Sequence, residues 1–130
     1  MSTILTIEDQ ADIRRLIRMT LEFKGFEVLE AGDGLQGLAL ARSAKPDLIL
    51  LDVMMPGTDG LTVGRTLAAD PELSQIPVVM LSALGQPADI AAGMQTGVSG
   101  YLVKPFSPWE LLALVARLIE EHRQRLAAGG

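Results

Sequence analysis

Five polar side chains stand directly after short apolar runs of the chain, and their types suit chemistry on a phosphoryl group. They are Glu8, Asp9, Asp52, Ser82 and Lys104. Three carboxylates gathered at one place repel each other unless a cation lies among them. The chain has no cysteine and a single histidine, so the cation should be a hard, oxygen-binding ion such as Mg²⁺ rather than zinc.

The same set of groups could carry out phosphoryl transfer. A carboxylate beside a metal-bound phosphoryl group can act as a nucleophile and form an acyl phosphate. The Lys104 ammonium and the Ser82 hydroxyl would bind phosphoryl oxygens. Together with the metal, the ammonium would neutralise the charge that develops during transfer. These residue types therefore predict Mg²⁺-dependent phosphoryl transfer to a carboxylate.

The apolar runs that precede these residues alternate with segments of helical periodicity. Runs at 4–7, 26–31, 48–51, 78–81 and 100–103 are typical of strands, and the third is typical of a strand buried on both faces. Five β–α units predict an α/β fold with a parallel sheet covered by helices on both faces. In such a sheet, functional groups gather outside the carboxyl ends of the strands, where the five polar side chains are expected.

Several local signals indicate where helices begin. Asp33 can cap the second helix, and Asp9 with Asp12 is typical of the start of the first. Ser107, followed by proline and then Glu110, predicts a capping box at the start of the last helix.

Composition limits the classes of protein that this chain can represent. Its 130 residues are 48% hydrophobic, which is enough for one domain with a real core. The net charge of −5 argues against direct binding of nucleic acid or an anionic membrane. The longest apolar run has six residues, at 111–116, and no signal peptide is evident, so a soluble cytoplasmic domain is expected.

Several stretches occur in the order and with the spacing of one family. They are IED at 7–9, PDLILLDVMMPG at 46–57, DG at 59–60, PVVMLSA at 77–83 and GYLVKPF at 100–106. The chain resembles the receiver domains of bacterial two-component response regulators over about residues 3–120. The resemblance implies a doubly wound (βα)5 fold with the flavodoxin-like strand order 2-1-3-4-5.

The resemblance also implies a role for each site residue. Asp52 resembles the phosphoacceptor, which takes its phosphoryl group from a phosphohistidine. Asp9 resembles a direct Mg²⁺ ligand, and Glu8 an acidic partner that often holds the ion through water. Asp52 itself and the backbone carbonyl of Met54 would complete the protein ligands, with Mn²⁺ as an alternative ion.

A second group of residues resembles the family's switch. Ser82 corresponds to the hydroxyl that moves to bond the phosphoryl group, and Tyr101 to the aromatic residue that swings inward with it. Lys104 corresponds to the lysine that pairs with the phosphoryl group. Its peptide bond to Pro105 is expected to be cis, as proline permits.

Partners follow from the same resemblance. The donor would be a sensor histidine kinase or a histidine phosphotransfer protein, docked along the first helix beside Arg14, Arg15 and Arg18. A solvated helix face is the other interpretation of these arginines.

A downstream effector protein or domain would recognise the surface altered by phosphorylation, with no nucleic acid or membrane bound by this chain. The chain would be a monomer or a phosphorylation-linked dimer. The acidic pair that many DNA-binding members carry before the switch tyrosine is absent from 97–100, so that dimer mode is not expected.

Other functions remain as alternatives. A degenerate receiver would bind partners without phosphorylation. A phosphatase of the haloacid-dehalogenase type would need a second acid where Met54 stands, and the glycine-free turn after the first strand would repel a flavin phosphate. The favoured interpretation is a phosphoacceptor rather than an enzyme, with at most self-catalysed phosphotransfer and autodephosphorylation.

The boundaries and some surface positions can also be predicted. Residues 1–122 would form the receiver and 123–130 a flexible, frayed tail in which His122 is solvent-exposed. Trp109 would pack at the start of the last helix. Met54 and Leu84 would lie beside the path of hydrolytic water and slow the loss of the phosphoryl group.

Overall fold

Five strands alternate with five helices in the computed structural model, which describes residues 1–55, 57 and 59–129. The strands are β1 (Thr3–Ile7), β2 (Glu27–Ala31), β3 (Leu48–Asp52), β4 (Val78–Ser82) and β5 (Gly100–Val103). The helices are α1 (Ala11–Phe23), α2 (Gly34–Ala44), α3 (Gly60–Ala69), α4 (Pro87–Met94) and α5 (Pro108–Gly129). Pro56, within the quoted stretch 46–57, Thr58 and the final Gly130 lie outside the described residues.

The strands form one parallel sheet in the order β2-β1-β3-β4-β5, which confirms the predicted fold and strand order. All five residues of the central strand β3 are buried, as its unbroken apolar run predicted. Ile49 and Leu51 join the core that α2 and α3 cover, whereas Leu48 and Leu50 join the core beneath α1 and α5. The sheet therefore separates two apolar layers: α1 and α5 cover one, and α2 and α3 cover the other, where Gly93 of α4 also lies against Met80 and Tyr101.

Two of the three predicted helix caps are present in the structure, and the third is not. The Asp33 carboxylate accepts a hydrogen bond from the Gln36 backbone N–H at 2.8 Å, and Ser107 and Glu110 form the reciprocal capping box. The predicted cap at Asp9 is wrong, because Gln10 is the N-cap residue of α1 and its side chain makes no capping hydrogen bond. The carboxylate of Asp9 lies instead with those of other acids at the edge of the sheet.

The last helix is longer than the sequence indicated. It is helical through Gly129, where a frayed tail was expected, and its buried stripe of Val115, Leu118 and Ile119 continues one turn further to His122. His122 is only 8% exposed, so the expectation of a solvent-exposed histidine is wrong. The domain boundary at residue 122 stays a prediction. Within the described ranges, no helix combines the length and the apolar character needed to cross a bilayer.

The start of α5 also differs from expectation. Trp109 was expected to pack there, but 75% of the residue is exposed. Leu111, two residues later, takes the buried position at the head of the helix.

Burial gives His122 a predictable effect on stability. Burial, and secondarily the nearby Arg125, lower the pKa of His122 below its ordinary value of 6.5, whereas Asp47 opposes the shift. The unfolded chain therefore binds a proton at His122 more readily than the folded chain does. The stability that the neutral, buried imidazole contributes is complete above about pH 6.5, and it is lost as the pH falls through the folded-state pKa. In urea titrations from pH 5 to 8, His122→Gln should flatten the pH dependence of the unfolding free energy by at most about 1.4 kcal/mol per pH unit. Parallel curves for the two proteins would contradict this.

The hydroxyl of Thr6 is a buried polar group without a hydrogen-bond partner in the described part of the chain. An unsatisfied buried hydroxyl opposes folding, because water solvates it in the unfolded chain. Thr6→Val replaces it with a methyl group of similar shape and should raise the unfolding free energy by about 1 kcal/mol in urea titrations. Thr6→Ser is the matched control: it keeps the hydroxyl, loses the methyl and should lower stability by about 1 kcal/mol. If Thr6→Ser were more stable than Thr6→Val, the assignment of the Thr6 hydroxyl as an unsatisfied buried group would be wrong.

Candidate functional site

The carboxyl ends of four strands meet at one edge of the sheet. Ile7 lies opposite Leu51 in the β1–β3 pair, Asp52 is the last residue of β3, and Ser82 at the end of β4 lies opposite Val103. The residues that continue from these strands, Glu8, Asp9 and Lys104, therefore come together with Asp52 and Ser82.

Three carboxylates form the centre of this edge. Glu8, Asp9 and Asp52 each place an oxygen within 4.8 Å of the others. Glu8 is fully buried and Asp52 is 2% exposed. The Lys104 ammonium lies 2.8 Å from Glu8 Oε1 and 3.4 Å from Asp52 Oδ2, so a single cation bridges two of the three acids.

The carboxyl group of Glu8 is the one most affected by burial. Burial raises the pKa of Glu8 above its ordinary value of 4.5, and contact with Asp52 raises it further. The ion pair with Lys104 and a hydrogen bond from the Gln10 backbone act in the opposite direction. A positive charge placed among the three carboxylates would favour the ionised form of Glu8.

The donors present fit a divalent cation. Asp9 Oδ1 is buried and has no hydrogen-bond partner among the described residues, although it lies beside two other acids. With all three carboxylates ionised and one ammonium present, two negative charges remain uncompensated (3 − 1 = 2). A small divalent ion bound by oxygens, such as Mg²⁺, would satisfy both the free oxygen and the charge.

The backbone around Asp52 is fixed from two sides. Its Oδ1 accepts a hydrogen bond from the Met54 backbone N–H at 3.1 Å. Gly60, the first residue of α3, lies so close that an added Cβ would stand 2.5 Å from the Asp52 carbonyl oxygen and closer still to the Val53 Cα. Only glycine allows α3 to start this near the end of β3. The sequence gives no direct signal of this close contact, because it depends on how α3 lies against the end of β3.

Ser82 and Tyr101 are connected through one loop residue. The buried Ser82 Oγ accepts a hydrogen bond from the Leu84 N–H at 3.0 Å, and the Tyr101 hydroxyl donates to the Leu84 carbonyl at 2.8 Å. The Tyr101 ring lies against Gly93 of α4, where an added Cβ would be 2.8 Å from ring Cε2. The Leu84 backbone therefore links Ser82 to Tyr101, through its N–H to the serine and its carbonyl to the tyrosine.

The remaining predicted residues occupy the rim of the site. Met54 and Leu84 are 58% and 41% exposed. The Lys104–Pro105 peptide bond is cis, the geometry that the resemblance implied.

The three arginines of α1 differ in their partners. Arg14 and Arg18 pair with Glu30 of β2, a residue that sequence analysis did not single out, at 3.5 and 2.5 Å. Arg15 is exposed and has no ion pair within the described ranges.

Comparison with known proteins identifies a family whose members are similar to this chain. The family model of the response regulator receiver domain matches residues 4–116. The DNA-binding dual master transcriptional regulator RpaA of Synechocystis is 45% identical over 92% of this chain and 49% of its own length. The phosphate regulon regulatory protein PhoB of Pseudomonas aeruginosa is 45% identical over 85% of this chain and 48% of its own length. The chain thus spans about half the length of these curated relatives.

Solved structures of response regulators also have a fold similar to that of this chain. The chemotaxis protein CheY4 of Vibrio cholerae has a TM-score of 0.86 at 34% identity, covering 91% of this chain and 98% of that protein. NtrX of Brucella abortus has a TM-score of 0.90 at 27% identity, covering 98% of this chain and 29% of its own.

Proposed function

The chain belongs to the family of response regulator receiver domains, and from this premise we propose that Asp52 accepts a phosphoryl group from a phosphohistidine. The supporting observation is the cluster itself: a buried carboxylate 3.4 Å from the Lys104 ammonium, with two further carboxylates within 4.8 Å. This is a signalling role rather than that of a classical enzyme. The family match and the relatives give no support to the degenerate, phosphorylation-independent alternative.

The transfer would proceed by displacement at phosphorus. One Asp52 carboxylate oxygen forms a bond to phosphorus while the bond from phosphorus to the donor's imidazole nitrogen breaks, and that nitrogen keeps the electron pair. Lys104 stays beside the acceptor and balances charge on the phosphoryl oxygens. Glu8, Asp9, Asp52 and the Met54 carbonyl would hold Mg²⁺ or Mn²⁺, which supplies further positive charge to those oxygens when bound.

Phosphorylation would be transmitted through Leu84. When Ser82 Oγ moves to donate a hydrogen bond to a phosphoryl oxygen, it leaves the Leu84 N–H, and the loop that binds the Tyr101 hydroxyl becomes free to move. Tyr101 then moves inward, and the face formed by α4, β5 and α5 changes shape for an effector.

The donor protein is proposed to dock along α1. Arg15 is the arginine available for this contact, because Arg14 and Arg18 are already paired with Glu30.

The exposed Met54 and Leu84 side chains at the rim of the site would keep water from the acyl phosphate and slow its hydrolysis.

The proposal is tested with acetyl phosphate and the intact mass of the wild-type chain. We expect a gain of one phosphoryl group that requires Mg²⁺ and is prevented by a chelator. Hydroxylamine converts an acyl phosphate into a hydroxamate, so peptide mapping after this treatment should mark residue 52. A hydroxamate elsewhere would refute the assignment, as would failure to accept phosphate from both acetyl phosphate and a phosphorylated histidine protein.

A further inference from the structure

The end of α5 forms one wall of a pocket of about 630 Å³, a volume typical of small-molecule sites. The other walls are residues 74–76, which precede β4, and residues 97 and 99, which precede β5. Because the strands are parallel, these segments meet at the amino edge of the sheet, whereas Asp52 lies at the carboxyl edge. We call the cavity between these segments and residues 122–129 of α5 the amino-edge pocket.

The length of α5 creates this pocket. The helix has 22 residues and is about 33 Å long, whereas β5 has four residues and spans about 13 Å. Since α5 returns from the carboxyl edge, its last turns extend past the start of β5. The helix residues that border the pocket, at 122, 125, 126 and 129, share one face of α5.

His122 places a polar group at the floor of the pocket. The residue is 8% exposed, and its ring nitrogens have no hydrogen-bond partner among the described residues. These nitrogens are not sealed from solvent, so the polar edge of the ring opens into the pocket. An imidazole can donate a hydrogen bond from one nitrogen and accept one at the other. A buried side chain with this unused capacity at a cavity wall is the kind of group that fixes a ligand.

The pocket is basic although the protein is acidic. Arg125 borders it and forms no ion pair in the described part of the chain. The charge of Arg125 is close enough to lower the pKa of His122. Asp47, which acts on that pKa in the opposite direction, lies outside the pocket wall and accepts a hydrogen bond from the Thr3 backbone N–H at 2.7 Å. None of the described residues that border the pocket is acidic, so it favours an anion even though the net charge of the chain is −5.

The remaining wall residues indicate what else the ligand contains. The hydroxyls of Ser74 and Ser99 offer further hydrogen bonds, and the side chains of Ile76 and Leu126 offer apolar surface. An inorganic anion would leave this apolar surface in water, and a neutral apolar molecule would leave the guanidinium without a charged partner. The pocket therefore fits a molecule that joins one anionic group to an apolar group.

We propose that the amino-edge pocket binds a small organic anion, a carboxylate or a phosphate monoester attached to an apolar group. The Arg125 guanidinium holds the anionic group through two parallel hydrogen bonds, and the His122 ring donates another from the floor of the pocket. The apolar group lies between Ile76 and Leu126. The carboxylate cluster takes no part, so this inference does not rest on phosphorylation of Asp52.

An NMR titration of the full chain, labelled with ¹⁵N, in metal-free buffer tests the proposal. Benzoate and phenyl phosphate are the probes, because each joins an anion to an aromatic ring, and the tighter of the two identifies the preferred anionic group. The backbone amides of residues 74–76, 97 and 99 and the His122 ring signals should shift on one binding curve, with a Kd of about 1 mM for ligands of this size. Benzamide lacks the charge and inorganic phosphate lacks the ring, so each should bind at least about tenfold more weakly.

Two arginines of α5 provide a matched pair of variants. Arg125→Gln should raise the Kd for benzoate at least about tenfold, because the anion loses its charged donor. Arg123→Gln is the control: Arg123 contacts Ser2 and Glu120 outside the pocket, and its replacement should leave the Kd within about twofold of wild type. Both arginines are exposed, so both variants should keep the unfolding free energy of wild type in urea titrations.

Several outcomes would overturn the proposal. Binding of benzoate that Arg125→Gln does not weaken would do so, as would benzamide that binds as tightly as benzoate. Amide shifts confined to the edge that holds Asp52, or no saturable shift up to about 20 mM of either probe, would also overturn it. Phosphoryl uptake is measured in none of these experiments, so this proposal and the proposed function fail separately.

Discussion

Asp52→Asn is expected to abolish phosphoryl uptake from acetyl phosphate, with a rate at least about a thousandfold below wild type. The amide removes the nucleophilic oxygen charge but keeps the shape of the side chain. Its oxygen can still accept the hydrogen bond from the Met54 N–H. The reaction is followed by intact mass in the presence of Mg²⁺.

The variant should fold as well as wild type, which separates loss of chemistry from loss of structure. Removing one of three crowded carboxylates, two of them buried, relieves repulsion, so the unfolding free energy in metal-free buffer should not fall. Asp89→Asn, on α4 and outside the cluster, is the control and should accept phosphate at the wild-type rate. Undiminished labelling of Asp52→Asn would exclude Asp52 as the acceptor.

Asp9→Asn is expected to weaken Mg²⁺ binding at least about a hundredfold. Of the three acids, Asp9 is the one that forms no ion pair with Lys104 in the described part of the chain, and its Oδ1 is buried there without a hydrogen-bond partner. An amide there supplies neither the charge nor the second oxygen. Titration calorimetry of the unphosphorylated chain with Mg²⁺ measures the effect directly.

Two comparisons make this result specific. Asp12→Asn changes an exposed acid of the first turn of α1 and should leave the Mg²⁺ affinity within about twofold of wild type. Glu8→Gln should have a smaller effect than Asp9→Asn, because the Glu8 charge is already shared with Lys104 at 2.8 Å. Equal affinities for wild type and Asp9→Asn would show that the ion does not bind at this cluster.

The sheet edge was predictable from sequence because it depends on topology. Once β1, β3, β4 and β5 are recognised as parallel strands, the residues that follow them must meet at one edge, and the structure brings Glu8, Asp9, Asp52 and Lys104 together there. The Asp33 cap and the Ser107 capping box were predictable for a similar reason. Each depends on residues no more than three positions apart.

The differences arise where distant parts of the chain meet. His122 looked like a tail residue because its burial depends on the helix continuing past it. Trp109 was expected to pack at the start of α5 because a large apolar side chain usually does, yet Leu111 holds the buried position. The ion pairs of Arg14 and Arg18 with Glu30 join α1 to β2 and had no signal in the local sequence.

The contact at Gly60 bears on how this chain can change over generations. The start of α3 rests on the backbone of Asp52 and Val53 with no room for even a methyl group. A mutation that adds a side chain at residue 60 must push the β3–α3 connection outward, and that displacement moves the carboxylate on which the proposed chemistry depends. A substitution of Gly60 is therefore disfavoured for two reasons. It disturbs the packing of α3 against β3, and it displaces the carboxylate proposed to accept the phosphoryl group.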